Sequence, residues 1–218
     1  MTRMIAIEGL DGSGKETQTK LLRSALEASG RRVESISFPR YGQISSVLVE
    51  EYLNGVFGSN PNDVNAYGAS SFFAMDRFVS YLREWRPLYQ NCDYFLADRY
   101  VTSNSIHQCS KLPREEWDGF VSWLFDYEFG KLGLPRPDRV FYLHLAVDDS
   151  QRLLSERYHG DEHKKDIHEG DIEYLRRSQE AAEYCCNKCG WERIECMGDG
   201  SIRTIEDIHG EIMERLGE

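Results

Sequence analysis

The chain has 218 residues, 40% of them hydrophobic, which is enough to bury one sizeable core and suits a single domain over residues 1–218. Its 26 Lys and Arg against 37 Asp and Glu leave a net charge of −11, which argues against a nonspecific grip on nucleic acid or an anionic membrane. No apolar run approaches the roughly 18–20 residues that span a bilayer, and the six cysteines are too irregularly spaced for a disulfide framework. The expectation is a cytoplasmic protein with reduced thiols.

In chain order, residues 4–8 form a short apolar run that precedes the glycine cluster from Gly9 to Gly14. Residues 15–29 then carry helical spacing at Leu21, Leu22, Ala25 and Leu26, and Gly30 closes that helix. A second strand is expected over 33–38, stopped by Pro39, which cannot donate to a sheet ladder. Further strands are expected at 93–97, 139–145 and 192–196. Helical stretches fall at 43–54, 66–86, 114–129, 148–157, 171–188 and 203–216. This alternation predicts an α/β fold of three layers, αβα, around a central, mostly parallel five-stranded sheet. Residues 158–170 are almost wholly polar and read as a mobile surface segment. No internal repeat or long linker breaks the chain.

Gly9-Leu10-Asp11-Gly12-Ser13-Gly14-Lys15 fits the first seven positions of G-x-x-x-x-G-K-[ST], between a strand and a helix. Small residues there let successive backbone N–H groups converge at a helix N-terminus, where the dipole favours an anion, and Lys15 adds a point charge. The pattern predicts nucleoside triphosphate binding. The eighth position is Glu16, so the hydroxyl that usually ligates magnesium is absent, and Thr17 lies about 100° further round the helix. Three alternatives stay open: Glu16 ligates the metal, faces away from it, or leaves it to the phosphates and Asp98. A GTPase is excluded by the lack of a guanine-reading N-K-x-D.

Several separated motifs, in order and over nearly the whole length, resemble the thymidylate kinase family of P-loop nucleoside monophosphate kinases. Phe38-Pro39-Arg40-Tyr41 is similar to the family segment that surrounds the acceptor phosphate. Phe73-Ala74-Met75-Asp76-Arg77 resembles the helix whose Phe stacks on the pyrimidine and whose Arg bonds its O4. Asp98-Arg99-Tyr100 matches the D-R-Y motif at a strand's carboxyl end. The resemblance implies that Arg99 holds the acceptor phosphate, Asp98 organises Mg2+ and Asp11 meets the acceptor sugar. It further implies that Ser103 and Asn104 line the base pocket, with Asn104 reading the base edge. His107 stands where the family often has a tyrosine that crowds the 2′ position. Glu169 matches a carboxylate near the acceptor sugar and metal, with Asp166 a weaker companion.

The segment 157–170 falls where the family carries a lid over ATP. The phosphate loop has no basic residue before Lys15, so by this resemblance the catalytic cation comes from the lid, with Arg152, Arg157, Lys164 and Lys165 as candidates and Arg157 favoured. Cys186-x-x-Cys189, with Cys185, Cys196, His159, His163 and His168, is weighed as a zinc site and set aside, since only one CxxC is present. The expected reaction moves the γ-phosphate of ATP to dTMP, in a homodimer. The rivals are another nucleoside monophosphate kinase and a silent nucleotide-binding protein.

Overall fold

The computed structural model describes residues 1–161 and 166–218. Five strands, β1 (Arg3–Gly9), β2 (Val33–Ser37), β3 (Tyr94–Asp98), β4 (Arg139–His144) and β5 (Glu192–Glu195), form one sheet in the order β2-β3-β1-β4-β5. Every pairing in it is parallel. A parallel sheet is covered on both faces by its crossover helices, which is why β1 reads as an unbroken apolar run. Met4 and Ala6 point into one core with Phe95, Ala97 and Tyr142, whereas Ile5 and Ile7 point into the other with Leu96, Phe141 and Leu143.

The second core is closed by Leu22 and Leu26 of α1 (Lys15–Ala28) and by Ile208, Ile212 and Leu216 of α9 (Ile205–Leu216). The first is roofed by α3 (Ala66–Ser80), α5 (Val101–Cys109), α6 (Trp117–Phe125) and α8 (Ile172–Cys189). Helices α2 (Val47–Leu53), α4 (Arg86–Gln90) and α7 (Val147–Arg157) complete the layers. Central β1 connects to β2 on one side while β3 crosses to β4 on the other, so a crevice opens at the carboxyl ends of β1 and β3. Among the described residues no helix is long and apolar enough to cross a membrane.

Four departures from the sequence expectation are seen. The helix expected over 66–86 ends at Ser80 and widens into a π-helical turn, Tyr81–Trp85, ahead of Pro87, which lacks the N–H that a regular ladder needs. The stretch 114–129 likewise gives way to a π-helical turn, Asp126–Lys131. Helix α5 is not among the expected helices at all. All nine of its residues, VTSNSIHQC, are buried, so it has no apolar stripe, and Thr102, Ser103 and Asn104 bond to side chains or carbonyls of other elements. A small antiparallel pair, β6 (Met197–Gly198) and β7 (Ser201–Ile202), also forms around Asp199-Gly200, both with positive φ.

Candidate active site

Between β1 and α1 the chain wraps tightly. Gly9 has φ +154°, and a Cβ there would meet Ser13 Oγ at 2.5 Å and Leu143 O at 2.8 Å, so only glycine fits. Gly14 caps α1 at φ +86°, and Gly12 sits at φ +82° against Ser150. Lys15 is buried, with Nζ donating to Leu10 O at 2.8 Å and lying 3.7 Å from Asp11 Oδ1. The backbone of Asp11 is held in turn by Ser150 Oγ of α7, at 2.5 Å. Glu16 and Thr17 stand exposed at the lip of the cleft, and Glu16 spends its carboxylate on Lys20 Nζ at 2.6 Å. Buried Ser13 Oγ has no hydrogen-bond partner among the described residues.

Asp98 and Arg99 end β3 facing this loop. Arg99 adopts φ +63°, a left-handed conformation that a branched-off side chain pays for with about 1–3 kcal/mol. That turn brings Nη2 to 2.6 Å from Asp11 Oδ1 and Nη1 to 3.2 Å from His107 Nε2. Burial works against ionised Asp11, but Arg99 and then Lys15 outweigh it and hold its carboxyl well below the usual range. Burial and then Arg99 push the His107 imidazole down to about 3, so it is neutral at physiological pH. Asp98 is 9% exposed, and its Oδ1 has no hydrogen-bond partner among the described residues. That unpartnered carboxylate oxygen, in a cleft lined by Lys15 and Arg99, suits a hard divalent cation such as Mg2+.

A second cavity adjoins the phosphate cleft. Phe38, Tyr41, Phe73, Arg77, Ser103 and Asn104 line it, together with His107 and Glu169, and Asp11 and Arg99 belong to both spaces. Arg77 is buried, its Nε and Nη2 each 2.7 Å from a Glu128 oxygen. Arg40 does not line either space: its Nη2 lies 2.6 Å from Glu84 Oε2, and its backbone N–H donates to Asp76, which ties the exit of β2 to α3.

From the C-terminal end of α7, Arg157 and Tyr158 reach the cleft beside the loop, and Tyr158 Oη lies 3.2 Å from Glu169 Oε2. Arg152 is turned away to Asp149 and Glu156. Lys164, Lys165 and His163 lie outside the described residues. Burial, then Asp166 and Asp11, push Glu169 up to about 7; burial pushes Asp166 up to about 6 against backbone N–H bonds from Glu169 and His168. A carboxyl raised in the folded state stabilises below its unfolded value, near 4.5 for Glu, and that contribution is lost as pH rises through the folded value. Glu169→Gln, which cannot ionise, is therefore expected to raise the thermal midpoint at pH 8 but not at pH 5, by about 2–4 °C for each kcal/mol relieved. Equal midpoint shifts at both pH values would contradict the raised Glu169.

Sequence reasoning did not assign Glu8, Glu128 or Gln108 to the site. Glu8 is fully buried and accepts from Tyr100 N, Thr102 Oγ1 and Ser103 Oγ, anchoring the start of α5 beside Arg99. An acidic residue closing an apolar strand was its available sign. Gln108 lines the second cavity, and neither of its amide atoms has a partner among the described residues. Glu128 carried no sign, because its burial depends on how α6 meets α3 and α5.

Two spaces that meet at Asp11 and Arg99 let a phosphoryl donor and an acceptor approach end to end, the arrangement of a P-loop nucleotide kinase. A sequence model described as "Thymidylate kinase" matches residues 7–197, and the chain belongs to the thymidylate kinase family. It is 35% identical over 181 residues to the thymidylate kinase of Mycobacterium tuberculosis (strain CDC 1551 / Oshkosh), covering 80% of this chain and 81% of that one. The Plasmodium falciparum (isolate 3D7) thymidylate kinase is 24% identical over 214 residues, 98% of this chain and 89% of its own. The fold matches that of Candida albicans thymidylate kinase with a TM-score of 0.70 at 21% identity, over 99% of this chain and 91% of that one. The chain is accordingly a phosphotransferase, and its reaction is the phosphorylation of dTMP.

Proposed function

We propose that ATP is the donor, lying over the phosphate loop while dTMP fills the adjoining cavity, and that a single domain over 1–218 closes a lid at about 157–170 across the two. The observation that carries this reading is the sharing of Asp11 and Arg99 between the two spaces. The backbone of Gly9, Asp11, Gly12, Ser13, Gly14, Lys15, Glu16 and Thr17 cradles the donor phosphates at the helix N-terminus. Arg99 holds the acceptor phosphate, with Tyr41 beside it, and Lys15 and Arg157 neutralise charge on the transferring group. Phe73 stacks on the thymine, Arg77 and Asn104 read its edge, and Asp11, His107 and Glu169 face the sugar. Phe38 and Ser103 wall the pocket. Arg40, bonded to Glu84, orders the loop that carries Tyr41 and reaches the phosphate only after exchanging that partner. Mg2+ would be held by Asp98, directly or through water, and supplies further neutralisation of the phosphate oxygens when bound.

Six free cysteines support a cytoplasmic location, and the exposed apolar side chains of Ile44, Val47, Leu48 and Tyr67 support a homodimer. A coupled ADP-release assay with ATP, magnesium and each nucleoside monophosphate in turn tests the reading. Turnover is expected with dTMP and dUMP and not with CMP. In the same assay Phe73→Ala is expected to raise KM for dTMP about fivefold with KM for ATP unchanged, since a lost stacking face costs on the order of 1 kcal/mol. Equal changes for both substrates would remove Phe73 from the base pocket.

A further inference from the structure

Behind the wall of the acceptor cavity, bonded to two of the residues that line it, lies a buried group that carries no motif. Glu128, on the π-helical turn after α6, is 0% exposed. Its Oε2 accepts Arg77 Nε at 2.7 Å; its Oε1 accepts both Arg77 Nη2 at 2.7 Å and Asn104 Nδ2 at 3.3 Å. Arg77 is further held by Nη1 donating to Tyr100 O at 3.3 Å, and Asn104 Nδ2 donates a second time to Ser70 O at 3.2 Å.

This pattern fixes a polarity. Both hydrogens of the Asn104 amide go to oxygens that can only accept, a carboxylate and a backbone carbonyl, so the amide cannot turn over without setting oxygen against oxygen. Its Oδ1 accepts no hydrogen bond from any described residue, and Asn104 lines the cavity. Arg77 can only donate, and it keeps N–H groups beyond the three already used. The cavity therefore offers a fixed donor beside a fixed acceptor. A pyrimidine-2,4-dione edge complements that pair, with O4 accepting and N3–H donating. A 4-aminopyrimidine edge presents the reverse at both positions, and a buried mismatch of this kind costs more than a matched pair gains.

We propose that Glu128 is a positioning residue that sets the preference for thymine over cytosine, by locking Arg77 as donor and Asn104 Oδ1 as acceptor toward the base. The inference rests on the assignment of this cavity to the acceptor base. Glu128 touches neither substrate; it acts through the two groups it holds.

Glu128→Gln tests it. The new amide has the carboxylate's shape but can donate to Asn104 Oδ1, which allows the Asn104 amide to turn and loosens one bond to Arg77. The expected result is a rise of about tenfold in KM for dTMP with KM for ATP within twofold, and a fall of at least tenfold in the ratio of kcat/KM for dTMP over dCMP. Should Glu128→Gln not fold, Glu128→Asp keeps the charge against Arg77 but is one methylene too short to reach Arg77 and Asn104 together, and the same ratio is expected to fall. A ratio unchanged from the parent enzyme in the folded variant, or activity lost equally for both acceptors with KM for ATP raised alongside, overturns the proposal. Phe73→Ala is run in parallel. If it raises KM for dTMP while Glu128→Gln spares the ratio, the role of Glu128 alone fails; if it leaves KM for dTMP unchanged, the assignment of the cavity fails.

Discussion

Arg99→Ala is expected to lower kcat by about two to three orders of magnitude, the loss typical when one preorganised group is removed from a developing charge. The guanidinium lies between the two spaces, 15% exposed and 2.6 Å from Asp11, and among the described residues no other cation lines both of them. Its position is also costly to the backbone, since φ is +63°. Alanine inherits that strain and glycine adopts the same conformation without it, so Arg99→Gly is expected to match Arg99→Ala in its kinetic loss while unfolding at a higher temperature. Steady-state kinetics and thermal unfolding of the two variants check both halves. Near-normal turnover in either would remove Arg99 from the transfer step, and a lower midpoint for the glycine variant would show that the strain is compensated.

Lys15→Ala is expected to reduce kcat/KM for ATP by at least about a hundredfold. Lys15 is the first residue of α1, and its buried Nζ crosses back over the loop to Leu10 O. Burial first, and then Arg99, make its charged form harder to keep, while Asp11 and Asp98 oppose them. A lysine held so is poised for a stronger anionic partner, which triphosphate oxygens supply. Lys15→Arg is not expected to rescue, because a planar guanidinium does not fit where a compact ammonium bonds to a carbonyl inside the loop. The check is the dependence of initial rate on ATP at saturating dTMP. A rate within tenfold of the parent enzyme for Lys15→Ala would end its assigned role.

Much of the site was legible because its parts are local. The spacing from Gly9 to Lys15 requires a tight loop at a helix start, and Asp98-Arg99-Tyr100 follows an apolar run that a parallel sheet must bury. Both ends of the transfer site therefore lay in contiguous residues. Locality did not choose for Glu16, where the motif position left three alternatives and the structure pairs its carboxylate with Lys20, one turn along the helix. Arg40 shows the matching limit, since its partner Glu84 lies 44 residues on and no spacing predicts their pairing.

Helix α5 marks the boundary most clearly. Sequence patterns report which side of an element meets water, and α5 has no such side: its Thr102, Ser103 and Asn104 side chains bond to Glu8, Ser70 and Glu128 from three other elements. The composition and the alternation of apolar runs determined the layered parallel sheet, and two short motifs located the loop after β1 and the Asp98-Arg99 strand end that line the candidate site, because strand periodicity and loop sterics act between near neighbours. Tertiary structure alone decided that α5 forms, that Arg77 is paired, and that the acceptor pocket has a fixed hydrogen-bonding polarity. Those features depend on charges and amides brought together from distant parts of the chain, where burial makes each unmatched group costly.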